Sequence, residues 1–177
     1  MNKGIGYKLF EMNEEGKLFP LFIGKNSEVP IGEWIHAEFI PTKGFAQRGG
    51  WHIGELPDAA WLKGYDGSDV GCYKPRFKHG KRVWTMVEYN TTHCYDNEVK
   101  ELPKKCFMDK IPENGYYIFR EVGKGNWVIT SDIKVIKIIT DEERLQILEE
   151  IGYNEAEAYK KYKEAFEKRK GKNKMVV

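Results

Sequence analysis

Cysteine is scarce in this chain of 177 residues. The three present, Cys72, Cys94 and Cys106, are odd in number and irregularly spaced. That argues against a disulfide framework and for reduced cytoplasmic thiols. The four histidines, His36, His52, His79 and His93, form no HExxH spacing and the cysteines no CxxC, so no metal site is expected. A Cys–His nucleophile pair could arise only in space, from Cys72 or Cys94 with His52 or His79. No apolar run is long enough to span a bilayer, and MNKGIGYKLF lacks a signal-peptide core. No membrane contact is therefore expected. Gly49-Gly50 is not a phosphate loop, and no GxGxxG opens a helix. Net charge is only +2, so any polyanion partner must be read from local charge.

What the chain does have is 41 % hydrophobic and 14 % aromatic residues, enough for a packed core. Ile5 to Met12 and Lys17 to Ile23 read as strands around the turn Asn13-Glu14-Glu15-Gly16, with Pro20 marking an edge or bulge. Trp34 to Phe39 alternates, with Ile35, Ala37 and Phe39 opposite Trp34, His36 and Glu38. Lys81 to Tyr89 alternates in the same way and predicts a covered central strand. Gly115 to Glu121 and Asn126 to Ile139 supply the last strands, turning at Gly123-Lys124-Gly125. Residues 64–80 and 90–112 read as long loops, which in a small domain are usually functional or disordered. Thr140-Asp141-Glu142-Glu143 is a capping box, and Gly152 stops its helix. Leu145, Leu148 and Ile151 form that helix's apolar stripe. Asn154 caps a second helix with Ala158, Tyr162, Ala165 and Phe166 on its stripe.

The expected fold is therefore α+β: a twisted, mainly antiparallel sheet with long loops and a C-terminal helical hairpin. Residues 1–140 form one domain, 141–170 the hairpin docked on it, and 171–177 a basic tail.

Function points to the stretch from Pro41 to Leu62. There Lys43, Arg48, Trp51 and His52 lie among Gly44, Gly49, Gly50 and Gly54. Glycines let a ligand approach the backbone closely, and loops on a rigid scaffold carry binding groups. Lys74, Arg76, Lys78, Lys81 and Arg82 add charge nearby, interleaved with Phe45, Tyr73, Phe77 and Trp84. Cations meet phosphates and rings stack on bases. The binding candidates are Lys43, Arg48, Trp51, His52, Lys81, Arg82 and Trp84. The alternative is a tight turn with a core Trp, a satisfied His and solvated lysines.

GYKLF, GKLFPLFI, IGEWIHAEF, PTKGFAQRGGWHIGELPDA and KRVWTMVEY together resemble a family of small bacteriophage and prophage proteins of unassigned function. The resemblance covers the first half of the chain well and GNWVITSDIKVIKIITDEE in outline. It implies a phage protein of a bacterial host cell; with the basic–aromatic loops, the expected role is a phage accessory protein that binds a host nucleic acid or nucleoprotein, the resemblance adding counter-defence or host takeover, or else a structural phage protein. Gly50-Trp51-His52-Ile53-Gly54 and WVITSDIKVI are also distantly similar to ADP-ribosyltransferase-like domains. That likeness implies NAD as cofactor, with His52 and Glu88 as candidate catalytic residues. Those enzymes usually carry His or Arg on the first core strand to hold NAD, where GYKLF offers Lys8.

Overall fold

The computed structural model describes residues 1–43, 47–58, 75–102, 107–121 and 125–174. The first part of the 64–80 loop, Phe45, Cys72, Tyr73, Lys74, Cys106 and the turn at Gly123-Lys124 lie outside them.

Among the described residues nine strands form one twisted, mostly antiparallel sheet, accompanied by three helices, an α+β fold. The spine is β1 (Lys3–Met12) paired with β5 (Lys81–Asn90) along their full ten-residue lengths, from Lys3 opposite Asn90 to Met12 opposite Lys81. Alternation on β5 works as read: Val83, Thr85 and Val87 are buried on one face, and Trp84, Met86 and Glu88 lie half-buried on the other. β2 (Leu18–Phe19) stops before Pro20, pairs with the end of β1 and bridges to Val29, whose amide donates to the Leu18 carbonyl. β3 (Trp34–His36) is shorter than the run to Phe39, although the Ala37 amide still donates to the Ser131 carbonyl. Then come β4 (Trp51–Gly54), β6 (His93–Cys94), α1 (Asp96–Lys100) and β7 (Gly115–Glu121). The run expected as one strand from Asn126 is two, β8 (Gly125–Thr130) and β9 (Asp132–Ile138), with Ser131 alone between them.

That single residue shapes the molecule. Along the sheet the order is β3-β9-β5-β1-β4-β8-β7-β6, so β8 and β9 are separated by three strands although adjacent in sequence. The sheet must curl until they meet. The seam is closed by the Thr130 hydroxyl, which donates to the Asn90 carbonyl at 2.9 Å, and by the Ser131 amide, which donates to the Gly115 carbonyl at 2.9 Å. Curling creates an inner face, filled by Phe10, Ile53, Val83, Val87, Val128 and Val135. The outer face differs along its length. Over β4, β8 and β7 it is covered by a second cluster containing Val99, Phe107, Ile111 and Tyr117. Over β3, β9 and β5 the registers place Trp34, His36, Lys134 and Glu88 on it.

The capping box forms as expected on α2 (Asp141–Ile151), and Gly152 ends the helix at φ 75°. Docking differs from the expected three-residue stripe. Leu148 is 2 % exposed, whereas Leu145 and Ile151 are 53 % and 57 % exposed. Arg144 supplies the second anchor: its Nε donates to the Pro57 carbonyl at 2.8 Å and its guanidinium pairs with Asp58 and Glu155. The amide of Glu157 donates to the Asn154 side chain, and α3 (Glu155–Lys174) continues into the expected basic tail. No described helix is long and apolar enough to cross a membrane.

Candidate functional site

The inner face of the curl gathers polar groups from four strands. β1 contributes a bare floor at Gly4 and Gly6. A Cβ on Gly4 would sit 2.5 Å from Tyr89 Cζ, and one on Gly6 would sit 2.4 Å from Ile53 Cγ2. Removing those side chains lets the Tyr89 ring of β5 lie against β1. Tyr116 of β7 packs on the same inner core and lies within electrostatic reach of Tyr89. Burial raises both phenol pKa values. Glu55 adds to the effect at Tyr89, and Cys94, an exposed free thiol, adds to it at Tyr116. Glu55 is held at the rim by the Asn126 amide at 3.2 Å.

Deeper in this face is Lys8. It follows Gly6 and precedes Phe10 on the inward side of β1. Its ammonium donates to the His52 carbonyl at 3.0 Å and lies 5.7 Å from the centroids of both the Phe10 and Trp51 rings. No carboxylate pairs with it among the described residues. Burial without a counter-ion disfavours the charged form and lowers its pKa to about 8. Beside it Trp51 Nε1 is buried and has no hydrogen-bond partner among the described residues. Two kinds of donor are thus buried side by side among apolar groups with a single acceptor between them.

The residues singled out from the sequence divide among several places. Lys43 is exposed. The Arg48 guanidinium lies 4.8 Å from the centroid of Phe107 and 5.1 Å from that of Phe119, so it caps the second core. Gly49 and Gly50 are needed for that approach: a Cβ on Gly49 would meet the Asp109 carbonyl at 2.5 Å, and Gly50 has φ 107°. Trp51 points inward, and His52 points to the opposite side of β4. Burial, then Lys8 and Arg48, lower the His52 pKa to about 3, so the ring is neutral. Lys81 and Arg82 stand at the far end of β5 from Asn90, nine residues away or about 30 Å along the strand. Arg82 Nε is engaged by the buried Glu11 at 2.9 Å. Lys43, Arg48, Lys81 and Arg82 therefore do not line a common face. Trp84 is half-buried on the outer face, where its carbonyl accepts from the Ile139 amide. Glu88 also faces outward, 3.1 Å from Lys134 Nζ and 4.0 Å from Lys3 Nζ. β1 lies between Glu88 and His52, an offset of two strand spacings or about 10 Å, so the two candidate catalytic residues do not meet.

Sequence reading passed over Tyr89, Tyr116 and Glu55, because only the curl brings them together. Lys8 had a signal: it breaks the apolar side of an alternating strand. Among the described residues no group of three His, Cys, Asp or Glu side chains could hold a metal ion. Comparison with family models, with curated proteins and with solved structures finds no match for this chain.

Proposed function

We propose that the inner face of the curled sheet, around Lys8, Trp51, Tyr89 and Tyr116, binds a small nucleotide-type ligand, NAD being the one that the resemblance to ADP-ribosyltransferase-like domains implies. The observation that carries this reading is the Lys8 ammonium, buried with one carbonyl partner beside the unpartnered Trp51 N–H. A buried donor left unsatisfied costs about 1–3 kcal/mol, and a ligand oxygen removes that cost. Lys8 and Trp51 would bind phosphate or carboxamide oxygens, Tyr89 and Tyr116 would flank a flat ring, and Glu55 would accept from a ribose hydroxyl. NAD, when bound, supplies an ADP-ribosyl group for transfer. This chain's residues hold and orient it, with Glu55 rather than Glu88 as the carboxylate on that face. Host nucleic acid or nucleoprotein binding through the central loop has less support, since its cations are dispersed and Arg48 and Arg82 have internal partners. A phage accessory role rests on the resemblance alone.

Calorimetric titration with NAD and with ADP-ribose tests the reading. Binding that falls at least about tenfold in Lys8→Met, a loss of about 1.4 kcal/mol, supports it. Absence of binding by both ligands, or equal binding by the folded variant, rejects it.

A further inference from the structure

A second constellation lies on the opposite face of the same sheet. Asp132, the first residue of β9, is 2 % exposed, yet its carboxylate is fully provided for. Oδ2 accepts from Asn90 Nδ2 at 2.8 Å and from Ser131 Oγ at 2.6 Å, and Oδ1 is bonded by His36 Nδ1. Asn90 is itself fixed, by Asn114 and Thr92. His36 directly opposes Asp132 across β3 and β9, and its side chain is 79 % exposed. With Nδ1 engaged by the carboxylate, Nε2 is the nitrogen presented outward. So exposed an imidazole adds little stability; what the network does is hold it in one orientation.

Trp34 lies two residues before His36 and on the same side of β3. The ammonium groups of Lys3 and Lys134 lie 5.9 Å and 5.3 Å from its ring centroid. Both lean on one carboxylate, Glu88, whose Oε2 is buried and accepts no hydrogen bond even though Lys134 Nζ is 3.1 Å away. Two cations sharing one anion beside an indole leave positive charge at an aromatic platform. Bases stack on such platforms while phosphates meet the cations.

We propose that this outer face is a nucleotide-binding surface, with a base stacked on Trp34, its phosphate between Lys3 and Lys134, and His36 Nε2 as a further phosphate contact. The site is separate from the inner one, because Lys3 and Glu88 point to the opposite face of β1 and β5 from Lys8 and Tyr89. The charged groups around His36 on this face are Asp132, Lys134, Lys3 and Glu88.

The probes are AMP and a fluorescein-labelled oligoadenylate of about ten nucleotides, a length that fills one single-strand site. The expected result is binding of the oligomer that weakens about tenfold in Trp34→Ala, one stacked base being worth about 1–3 kcal/mol. Trp34→Phe should retain most of the affinity, which separates stacking from misfolding. Lys3→Gln/Lys134→Gln should weaken binding and reduce the salt slope by about 1.4, for two single-strand phosphate contacts. His36→Ala should also weaken binding of the oligomer. Lys8→Met should bind the oligomer normally, so the two sites stand or fall separately. Oligomer binding much tighter than AMP identifies a strand as the occupant, and equal binding per site a free nucleotide. The proposal is overturned if neither probe binds, or if Trp34→Ala and the double lysine variant, both folded, bind as the parent does.

Discussion

Two buried charges lie on opposite faces of the same sheet and are treated in opposite ways. Asp132 has three side-chain donors for one carboxylate. Lys8 has one backbone carbonyl for an ammonium and two rings for walls. Burial alone pushes the Asp132 carboxyl up, but the bonds from Ser131, Asn90 and His36 outweigh it and hold its pKa below the ordinary value. Nothing comparable offsets burial at Lys8, and its pKa falls. The carboxylate is thus part of the framework that pins the seam between β8 and β9. The lysine is a standing cost of folding that a ligand can relieve. A satisfied buried charge marks architecture, and a poorly satisfied one marks a place where something else binds.

The sharpest way to break this comparison is to remove both charges. Asp132→Leu leaves Asn90 and Ser131 with orphaned donors at the seam, and breaking such a buried network costs about 3–5 kcal/mol. Urea unfolding should show that loss. A loss below about 1 kcal/mol would mean that the network is dispensable.

Lys8→Met should act in the opposite direction. Replacing a poorly paired buried charge with an apolar side chain of similar length is often stabilising, by about 1–4 kcal/mol. The melting temperature should rise while binding at the inner face is lost. A destabilised Lys8→Met protein would instead place Lys8 in the framework with Asp132.

Ser131→Ala removes one of the three donors. A hydrogen bond to a charged group is worth about 1.5–3 kcal/mol, and the lower end applies here because two donors remain. If it costs as much as Asp132→Leu, Ser131 acts through the backbone seam rather than through the carboxylate.

The smallest effect is in the pH dependence, where one group contributes at most about 1.4 kcal/mol per pH unit. Asp132 has a lowered folded pKa, so its stabilisation is present above the unfolded value of 3.8 and is lost as pH falls below it. His52 acts in the same direction at higher pH. Folded, it resists protonation down to about pH 3, so stability already declines as pH drops below 6.5. Lys8 works at the alkaline end. Between pH 8 and 10.5 the unfolded chain holds a proton that the folded one has released, so stability rises with pH across that window. Stability measured against pH should show the acid limb flattened in Asp132→Asn and the alkaline rise removed in Lys8→Met. An unchanged alkaline limb in Lys8→Met would show that Lys8 is solvated in the folded protein.

The sequence by itself determined the elements whose signals are local. Alternation fixed β5 with Val83, Thr85 and Val87 inward, and placed Trp34 and His36 opposite Ile35. Short-range side-chain-to-backbone bonds fixed both helix starts, at Thr140 and Asn154, and a left-handed glycine fixed the stop at Gly152. Tertiary structure decided everything that depends on partners distant in the chain. Arg48 and Arg82 read as free cations, but one lies over Phe107 and Phe119 and the other is bound to Glu11 seventy-one residues away. Leu145 and Ile151 shared a stripe with Leu148, but Arg144 set how α2 lies and left them exposed. The run from Asn126 read as one strand because its alternation passes through Ser131 without a break. Only the curl of the sheet shows that strand partners change there, and that Asp132, Asn90 and His36 meet at that point. Periodicity reports which side of a strand a residue faces. It carries no information about which other strand arrives on that side, and a charge becomes framework or binding site according to that arrival.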